Sequence, residues 1–422
     1  MYRWGLGLQA NSCTVQGCYF ADNVGDGIKV FSSSNLIGGV NSVDRNVCYS
    51  NASQGIQLSG NGNMILGNYI GTDPTGTQKF GNDAGGIQIE TSSGTTIGSS
   101  MPGATRQIIS GNGGSGIRFS DPSAVGVIIQ ANYIGIAGTG TNPLGNEVGI
   151  NIVQGQTALI GGTNSGFERN YIGGNTSDGI RISDSNNEVK GNWIGIGLAV
   201  NAILNGGHGI HIQTKDNNVI GGSESGDGNI ISGNNGNGVF VRALTSTTPT
   251  GNSIENNLIG IDSGGNRVPN GSHGVEMLNA VSTAVRDNVI SGNVSNGIVI
   301  ARDNPSTTVN QNHIVNVNLI GIDRRGQIVS NGCNGILITN SAGNTIFGNS
   351  ISGNGKNGLP ESVSYRFGRR FGAQKLKTFS LRCSLLGGLG PASITLMNFL
   401  SVQVRFTLIW PFWGVGLLGQ SP

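Results

Sequence analysis

The sequence predicts an all-β solenoid, in which short parallel strands stack in successive coils. A tetrapeptide of Gly, then Ile or Val, then any residue, then an apolar residue recurs about every 30 residues between Gly27 and Gly335. Within each copy every second residue is apolar, and this period of two residues is that of a strand. Gly makes up 74 of the 422 residues and only 11% are charged, a composition that excludes coiled coils and helical bundles.

Each coil is expected to hold three short strands separated by Gly and Asn corners. The segment 55–86 reads GIQL, then NMIL, then NYIG, before the next copy begins. Counting the copies predicts about eleven coils over residues 5–358, with equivalent strands of adjacent coils about 4.8 Å apart. One inward apolar column is predicted to contain Ile56, Ile87, Ile117, Ile150, Ile180 and Ile210.

Asn recurs in two interleaved series, each spaced by about 60 residues. We predict that these side chains form a structural ladder, because a buried amide can both donate to and accept from another amide one coil away. The predicted ladder residues are Asn68, Asn132, Asn192, Asn257 and Asn318 in one series and Asn112, Asn175, Asn234 and Asn293 in the other.

The cysteines show no CxxC spacing and no even framework. Cys13 and Cys18 stand where the repeat places an Asn, and Cys48 occupies an inward apolar position. We interpret these three as small core residues, with a disulfide or redox pair among them as the second reading.

The phrases NYIGTD, NxIGG and SGNxxxGIxI resemble the right-handed parallel β-helix repeats of the pectin-lyase-like superfamily, in the tandem form found in bacterial secreted and surface proteins. The resemblance implies a right-handed, single-stranded parallel β-helix and an extracellular or cell-surface location. It does not decide function, because this superfamily includes lyases, hydrolases, epimerases, phage tailspikes and adhesins.

Two regions are expected: a β-helix over residues 1–360 and an unrelated tail over 361–422. The first region enters in mid-coil, so we expect it to be incomplete at its N-terminus. The tail has seven Lys and Arg against one Asp or Glu and ends in an apolar stretch at 406–419. Three readings stay open for it: a frameshifted or chimeric sequence, a membrane anchor over about 394–419, or a C-terminal cap.

Titratable residues cluster on the outward face of the predicted coils. The outward position of the tetrapeptide and the corner position before its Gly each form a row along the solenoid, and both rows are richest in titratable groups between residues 178 and 276. We also expect Asp178 to raise the pKa of His208. The candidate ligand-binding residues are Asp178, Arg181, His208, His211, Phe240, His273 and Glu276, with Phe240 expected to provide an open stacking platform for a sugar ring.

The alternative interpretation of this cluster is that it is simply the solvent-exposed face of the repeat, without a ligand. His208 lies in a GHG triplet, which resembles a polygalacturonase signature, but the NTD, DD and RIK segments of that family are absent. Asp73, Asp262 and Asp323 are each followed three residues later by Gly, which is an ordinary turn signal. The sequence therefore predicts neither a metal site nor a cofactor.

The leading functional hypothesis is a structural or adhesive β-helical segment that presents a surface to polysaccharide or another surface partner. The alternative is a carbohydrate-active enzyme, namely a polysaccharide lyase, glycosidase or C5-epimerase that acts on an acidic glycan. A self-associating fibre is a third class. The mildly acidic body, with 17 Lys and Arg against 21 Asp and Glu over 1–360, argues against nucleic-acid binding.

Overall fold

The chain folds into a parallel β-helix built from three sheets. The computed structural model describes residues 4–163, 166–243, 248–303 and 311–355. Each sheet has twelve parallel strands, and each coil contributes one strand to every sheet. These twelve coils agree with the expected number of about eleven, and Leu6–Leu8 forms the first strand of the first coil.

The strands of the first sheet carry the repeated tetrapeptide, and the other two sheets follow in chain order. The first sheet contains Leu6–Leu8, Ile28–Val30, Gln54–Leu58, Gly85–Ile89, Ser115–Val125, Ile150–Gln156, Ile180–Ile182, Ile210–Gln213, Val239–Arg242, Val275–Leu278, Ile298–Ala301 and Ile336–Thr339. The second contains Thr14–Val15, Leu36–Gly38, Met64–Leu66, Thr96–Ile97, Ile128–Ile129, Leu159–Gly161, Glu188–Lys190, Val219–Gly221, Ser253–Glu255, Ala284–Arg286, Ile314–Asn316 and Thr345–Phe347. The third contains Tyr19–Ala21, Val47–Tyr49, Tyr69–Ile70, Gln107–Ile109, Asn132–Ile134, Tyr171–Ile172, Trp193–Ile194, Ile230–Ile231, Leu258–Ile259, Val289–Ile290, Leu319–Ile320 and Ser350–Ile351. A 3₁₀ turn spans Ser42–Asp44.

The core is a column of branched apolar side chains from all three sheets. The predicted inward series in the first sheet pairs in register from coil to coil and is fully buried: Ile56, Ile87, Ile117, Ile150, Ile180 and Ile210. A Gly is required before each of these residues, because the backbone of the next coil lies too close to leave room for a Cβ. A Cβ at Gly86 would lie 2.5 Å from the carbonyl oxygen of Gly116, and a Cβ at Gly116 would lie 2.7 Å from that of Gly149.

The corner between the third and first sheets holds an unbroken ladder of Asn side chains, one per coil. In each step Nδ2 donates to Oδ1 of the Asn in the next coil, as in Asn175 to Asn205 at 2.9 Å and Asn205 to Asn234 at 2.9 Å. The members are Asn23, Asn51, Asn82, Asn112, Asn146, Asn175, Asn205, Asn234, Asn270, Asn293, Asn331 and Asn354.

The other predicted series lies in a second ladder, at the corner between the second and third sheets. Its members are Asn46, Asn68, Gln107, Asn132, Asn170, Asn192, Asn229, Asn257, Asn288, Asn318 and Asn349. Bonded partners are therefore one coil apart, and the spacing of about 60 residues reflects longer loops that recur every second coil. A third ladder at the remaining corner includes Asn187, Asn218 and Asn252.

The second ladder has one defect. Gln107 accepts from Nδ2 of Asn68 at 3.0 Å, but its own Nε2 and the facing Oδ1 of Asn132 are both buried without a hydrogen-bond partner. Gln is one methylene longer than Asn, so its amide nitrogen is displaced from the line of the ladder. The two halves of the ladder are not joined at this point.

Gln107→Asn should join the two halves and stabilise the fold. Because it removes two buried unsatisfied atoms, we expect the free energy of unfolding to rise by about 1–2 kcal/mol. Urea unfolding of the variant and the parent measures the change, and Gln78→Asn on an exposed loop position is the matched control. A variant no more stable than the parent would show that the orphaned atoms are satisfied by water.

The cysteines of the described residues are free thiols, but of the three expected core residues only Cys48 is buried, whereas Cys13 is half-buried and Cys18 is exposed. The backbone N–H groups of Cys13 and Cys18 donate to Oδ1 of Asn35 and Asn46, which places both cysteines at ladder positions. Cys48 is fully buried, and this burial raises the pKa of its thiol above the ordinary range.

The aromatic residues of the NYIG and NWIG segments form a stack on the outer face of the third sheet. The ring centroids of Tyr133 and Tyr171 are 5.4 Å apart, and those of Tyr171 and Trp193 are 5.3 Å apart. The guanidinium groups of Arg106 and Arg169 lie over these rings. Loops from alternate coils cover the stack, so these rings form a satellite core and do not present open faces.

The tail over 361–422, including the apolar segment at 394–419, lies outside the described residues. In the part of the chain that the structure does describe, no helix has the length and apolar character needed to cross a membrane.

Candidate functional site

The candidate residues come together on the outward face of the first sheet, across four consecutive coils. Arg181 pairs in register with His211, His211 with Phe240, and Phe240 with Glu276. We name this surface the His face, and its members are Asp178, Arg181, His208, His211, Phe240, His273 and Glu276.

The corner residues of the His face form a chain of side-chain to backbone hydrogen bonds. We call these positions, one before the Gly of each tetrapeptide, the corner row. In this row an acceptor on each side chain accepts a hydrogen bond from the backbone N–H of the equivalent residue in the next coil. The pairs are His208 N to Asp178 Oδ1 at 2.9 Å, Asn237 N to His208 Nδ1 at 3.0 Å, His273 N to Asn237 Oδ1 at 3.0 Å, Asn296 N to His273 Nδ1 at 3.2 Å and Asn334 N to Asn296 Oδ1 at 2.9 Å.

Sequence reasoning missed Asn237 and Asn296 as members of this site. Both precede the Gly of the tetrapeptide, in the same position as Asp178, His208 and His273. Asp, Asn and a neutral His share a short acceptor at this position, and that common chemistry was the available signal.

Asp178 is the electrostatic centre of the His face. Its side chain is buried, and Oδ2 lies 2.8 Å from Nη2 of Arg181 and 3.2 Å from Nδ1 of His211. Burial opposes ionisation of this carboxyl, but the hydrogen bonds from His211 and from the backbone of His208, with the charge of Arg181, hold its pKa well below the usual range. Asp178 is therefore ionised at any physiological pH.

Asp178 acts on the pKa of His208 in the expected direction, but it does not decide the net shift. Asp178 does act to raise the pKa of His208, but burial is the larger influence and lowers that pKa from 6.5 to about 4. The carboxylate contacts the ring of His211 and only the backbone N–H of His208. Because Nδ1 of His208 accepts a hydrogen bond, the neutral ring carries its proton on Nε2.

His273 repeats this arrangement two coils further on. Its Nδ1 accepts from the backbone of Asn296, and burial lowers its pKa while Glu276 acts in the opposite direction. Glu276 in turn accepts from Nδ2 of Asn237 at 2.6 Å. The polar groups of the His face are thus largely paired with one another.

Phe240 does not provide the expected open platform for a sugar ring. Its side chain is only 7% exposed, and its ring lies 4.7 Å from that of His208 and 5.0 Å from that of His211, centroid to centroid. Phe240 packs as an apolar wedge that restricts water around both histidines.

The fourth histidine, His313, lies outside the His face. It occupies a position in the third ladder, the one that includes Asn187 and Asn218, and it is fully buried. Its Nδ1 accepts a hydrogen bond from the backbone N–H of Thr283 at 3.1 Å. Burial lowers its pKa to about 4.

Within the described part of the chain, one group of donors approaches the geometry of a metal site. Ligand atoms of Asp178, His208 and His211 lie within 4.8 Å of one another. Two contacts oppose a metal ion there. Arg181 already places a positive charge on Asp178, and the lone pair of His208 is occupied by Asn237, which leaves Nε2–H as a donor.

The side-chain oxygens of the loop Asp residues accept hydrogen bonds from the backbone of their own turns. Oδ1 of Asp73 accepts from the backbone of Thr77 and Gln78 at 2.9 and 2.8 Å, and Oδ1 of Asp323 accepts from that of Arg325 and Gln327. This pattern is that of an Asx turn, which agrees with the turn reading of these sequences.

Comparison with known proteins supports the fold class. The sheets, and a match of residues 196–364 to the family described as right handed beta helix region, define a right-handed parallel β-helix. No curated protein matches the chain in sequence.

Among solved structures, a double mutant and a single mutant of the periplasmic alginate epimerase AlgG each superimpose with a TM-score of 0.52 at 14% identity, covering 81% of this chain and 76% of the other. The Dettilon tailspike protein is also similar, with a TM-score of 0.40 at 13% identity, covering 79% of this chain and 62% of the other. At these identities, the likeness to the epimerase establishes the fold alone.

Proposed function

We propose that this chain is a β-helical segment of an extracellular or cell-surface protein that binds a polysaccharide on its His face without transforming it. The observation that supports binding over catalysis is that three of the candidate bases, Asp178, His208 and His273, are already occupied. Both oxygens of Asp178 and Nδ1 of His208 and of His273 already accept hydrogen bonds. A general base needs a free lone pair within reach of its substrate.

The groups that remain are mostly donors held in fixed directions. In the neutral rings of His208 and His273 the single proton is on Nε2, because Nδ1 is the acceptor in each ring. The guanidinium of Arg181 is partly exposed, with 26% of its side chain accessible. Sugar hydroxyl and carboxylate oxygens are natural acceptors for such donors, and fixing the donors in advance lowers the entropic cost of binding.

The shape of the polar surface fits a linear polymer better than a single sugar. The outward row of the first sheet continues in register toward the N-terminus with Gln57, Gln88, Arg118 and Asn151. Adjacent members are one coil apart, about 4.8 Å, so polar groups repeat along the axis. We infer that the polysaccharide lies along the axis of the β-helix.

The test is glycan-array binding together with turnover assays on uronate polymers. We expect the parent to bind an acidic glycan without cleaving or epimerising it, and the double variant His208→Ala/His211→Ala to bind at least tenfold more weakly. Met64→Gln, on the outward face of the second sheet, is the control and should bind like the parent.

Two outcomes would contradict the proposal. Equal binding by the parent and the double variant would move the site away from the His face. Turnover by the parent that the double variant loses would favour the alternative, a carbohydrate-active enzyme.

A further inference from the structure

The corner row joins coils through acceptors of two kinds, amide or carboxylate oxygens and imidazole nitrogens. An Asn oxygen accepts a backbone N–H at any pH. An imidazole nitrogen accepts only while the ring is neutral, because protonation places a hydrogen on Nδ1. Asn237 N to His208 and Asn296 N to His273 are therefore the two steps of the row that a proton can break.

We propose that acidification opens the corner of the His face at these two steps and so regulates the same surface that we assign to ligand binding. A protonated His208 would direct an N–H toward the N–H of Asn237, and the coils would have to separate locally at the corner. The same holds for His273 and Asn296. The regulatory consequence rests on the proposed function, whereas the opening itself does not.

The charges that face each ring set the pH range. His208 faces Asp178 and Arg181 from the preceding coil, His211 from its own coil and Arg242 from the next coil. Asp178 favours protonation, and both arginines and His211 oppose it. His273 faces Glu276, which favours protonation against the effect of burial.

The direction of the effect follows from linkage. Burial lowers the pKa of His208 from 6.5 to about 4 in the folded chain. The contact is therefore fully present above pH 6.5 and is lost progressively as the pH falls toward 4, because the opened ring binds a proton more readily than the closed one. Each pH unit in this range increases the opening equilibrium by up to about tenfold.

Hydrogen exchange tests the inference without any ligand. Between pH 7 and pH 4.5, we expect the amide protection factors of Asn237 and Asn296, corrected for intrinsic rates, to fall at least tenfold in the parent. The backbone amide of His273 is an internal control, because its acceptor is Oδ1 of Asn237 and does not titrate in this range.

The matched variant is His208→Asn/His273→Asn, which installs at both positions the acceptor that Asn237 and Asn296 already supply in this row. We expect its protection factors at residues 237 and 296 to change less than twofold over the same range. An equal loss of protection in the double variant, or no loss in the parent, would overturn the inference. Neither result depends on glycan binding, so failure here and failure of the proposed function are distinguishable.

Discussion

Ile150→Asp is expected to destabilise the β-helix by about 3–5 kcal/mol, because it places a carboxylate among apolar side chains with no partner. Ile150 is fully buried and stacks between Ile117 and Ile180 of the adjacent coils. Burial would also raise the pKa of the new carboxyl, so the loss should be greatest above its unfolded value of about 4 and smaller in acid. The midpoint of urea unfolding at pH 7 measures the effect.

The neighbouring residue supplies the matched control. Asn151 points outward on the same strand and pairs in register with Arg118 on one side and Arg181 on the other. Asn151→Asp therefore places the same charge between two arginines, and its stability should stay within about 0.5 kcal/mol of the parent. If both variants unfold at the same urea concentration, the assignment of inward and outward positions is wrong.

Asn234→Asp is the second substitution with a large expected effect. Nδ2 of Asn234 donates to Oδ1 of Asn270 at 2.9 Å and to the carbonyl of Ile194 at 3.3 Å. A carboxylate would direct an oxygen at these two acceptors, in a fully buried position. We expect a loss of about 2–4 kcal/mol at pH 7, since both acceptors lose a donor and a charge is buried.

Asn235→Asp is the control for this variant, because Asn235 is exposed and adjacent in sequence. The difference in the free energy of unfolding between the two variants should shrink below about pH 4, where the introduced carboxyl is protonated and can donate again. A constant difference across pH would indicate that lost packing, and not charge, causes the destabilisation.

Much of the fold could be predicted because it is repetitive. The outward row of Arg181, His211, Phe240 and Glu276 lies in register as expected, since a tetrapeptide that recurs once per coil aligns equivalent residues automatically. The inward column and the ladder positions of the cysteines were predictable for the same reason.

The atomic contacts of the site were not predictable from the repeat. Sequence spacing placed Asp178 near His208, but the carboxylate turns to Arg181 and His211. The open face expected for Phe240 is closed by two imidazole rings. In both cases the outcome depends on the rotamer chosen by a side chain among neighbours about 30 residues away.

The periodic pattern of residues is sufficient to define the architecture: parallel coils, an inward column of Ile and Val, and Asn at the corners. Which atoms pair across coils, and how far water reaches them, depends on the packed three-dimensional arrangement. For this reason the second ladder is interrupted at Gln107, although Gln carries the same amide group as Asn and the sequence pattern shows no break there. For the same reason His208 has a lowered pKa beside a carboxylate that pattern alone would expect to raise it, since burial outweighs a charge that points elsewhere.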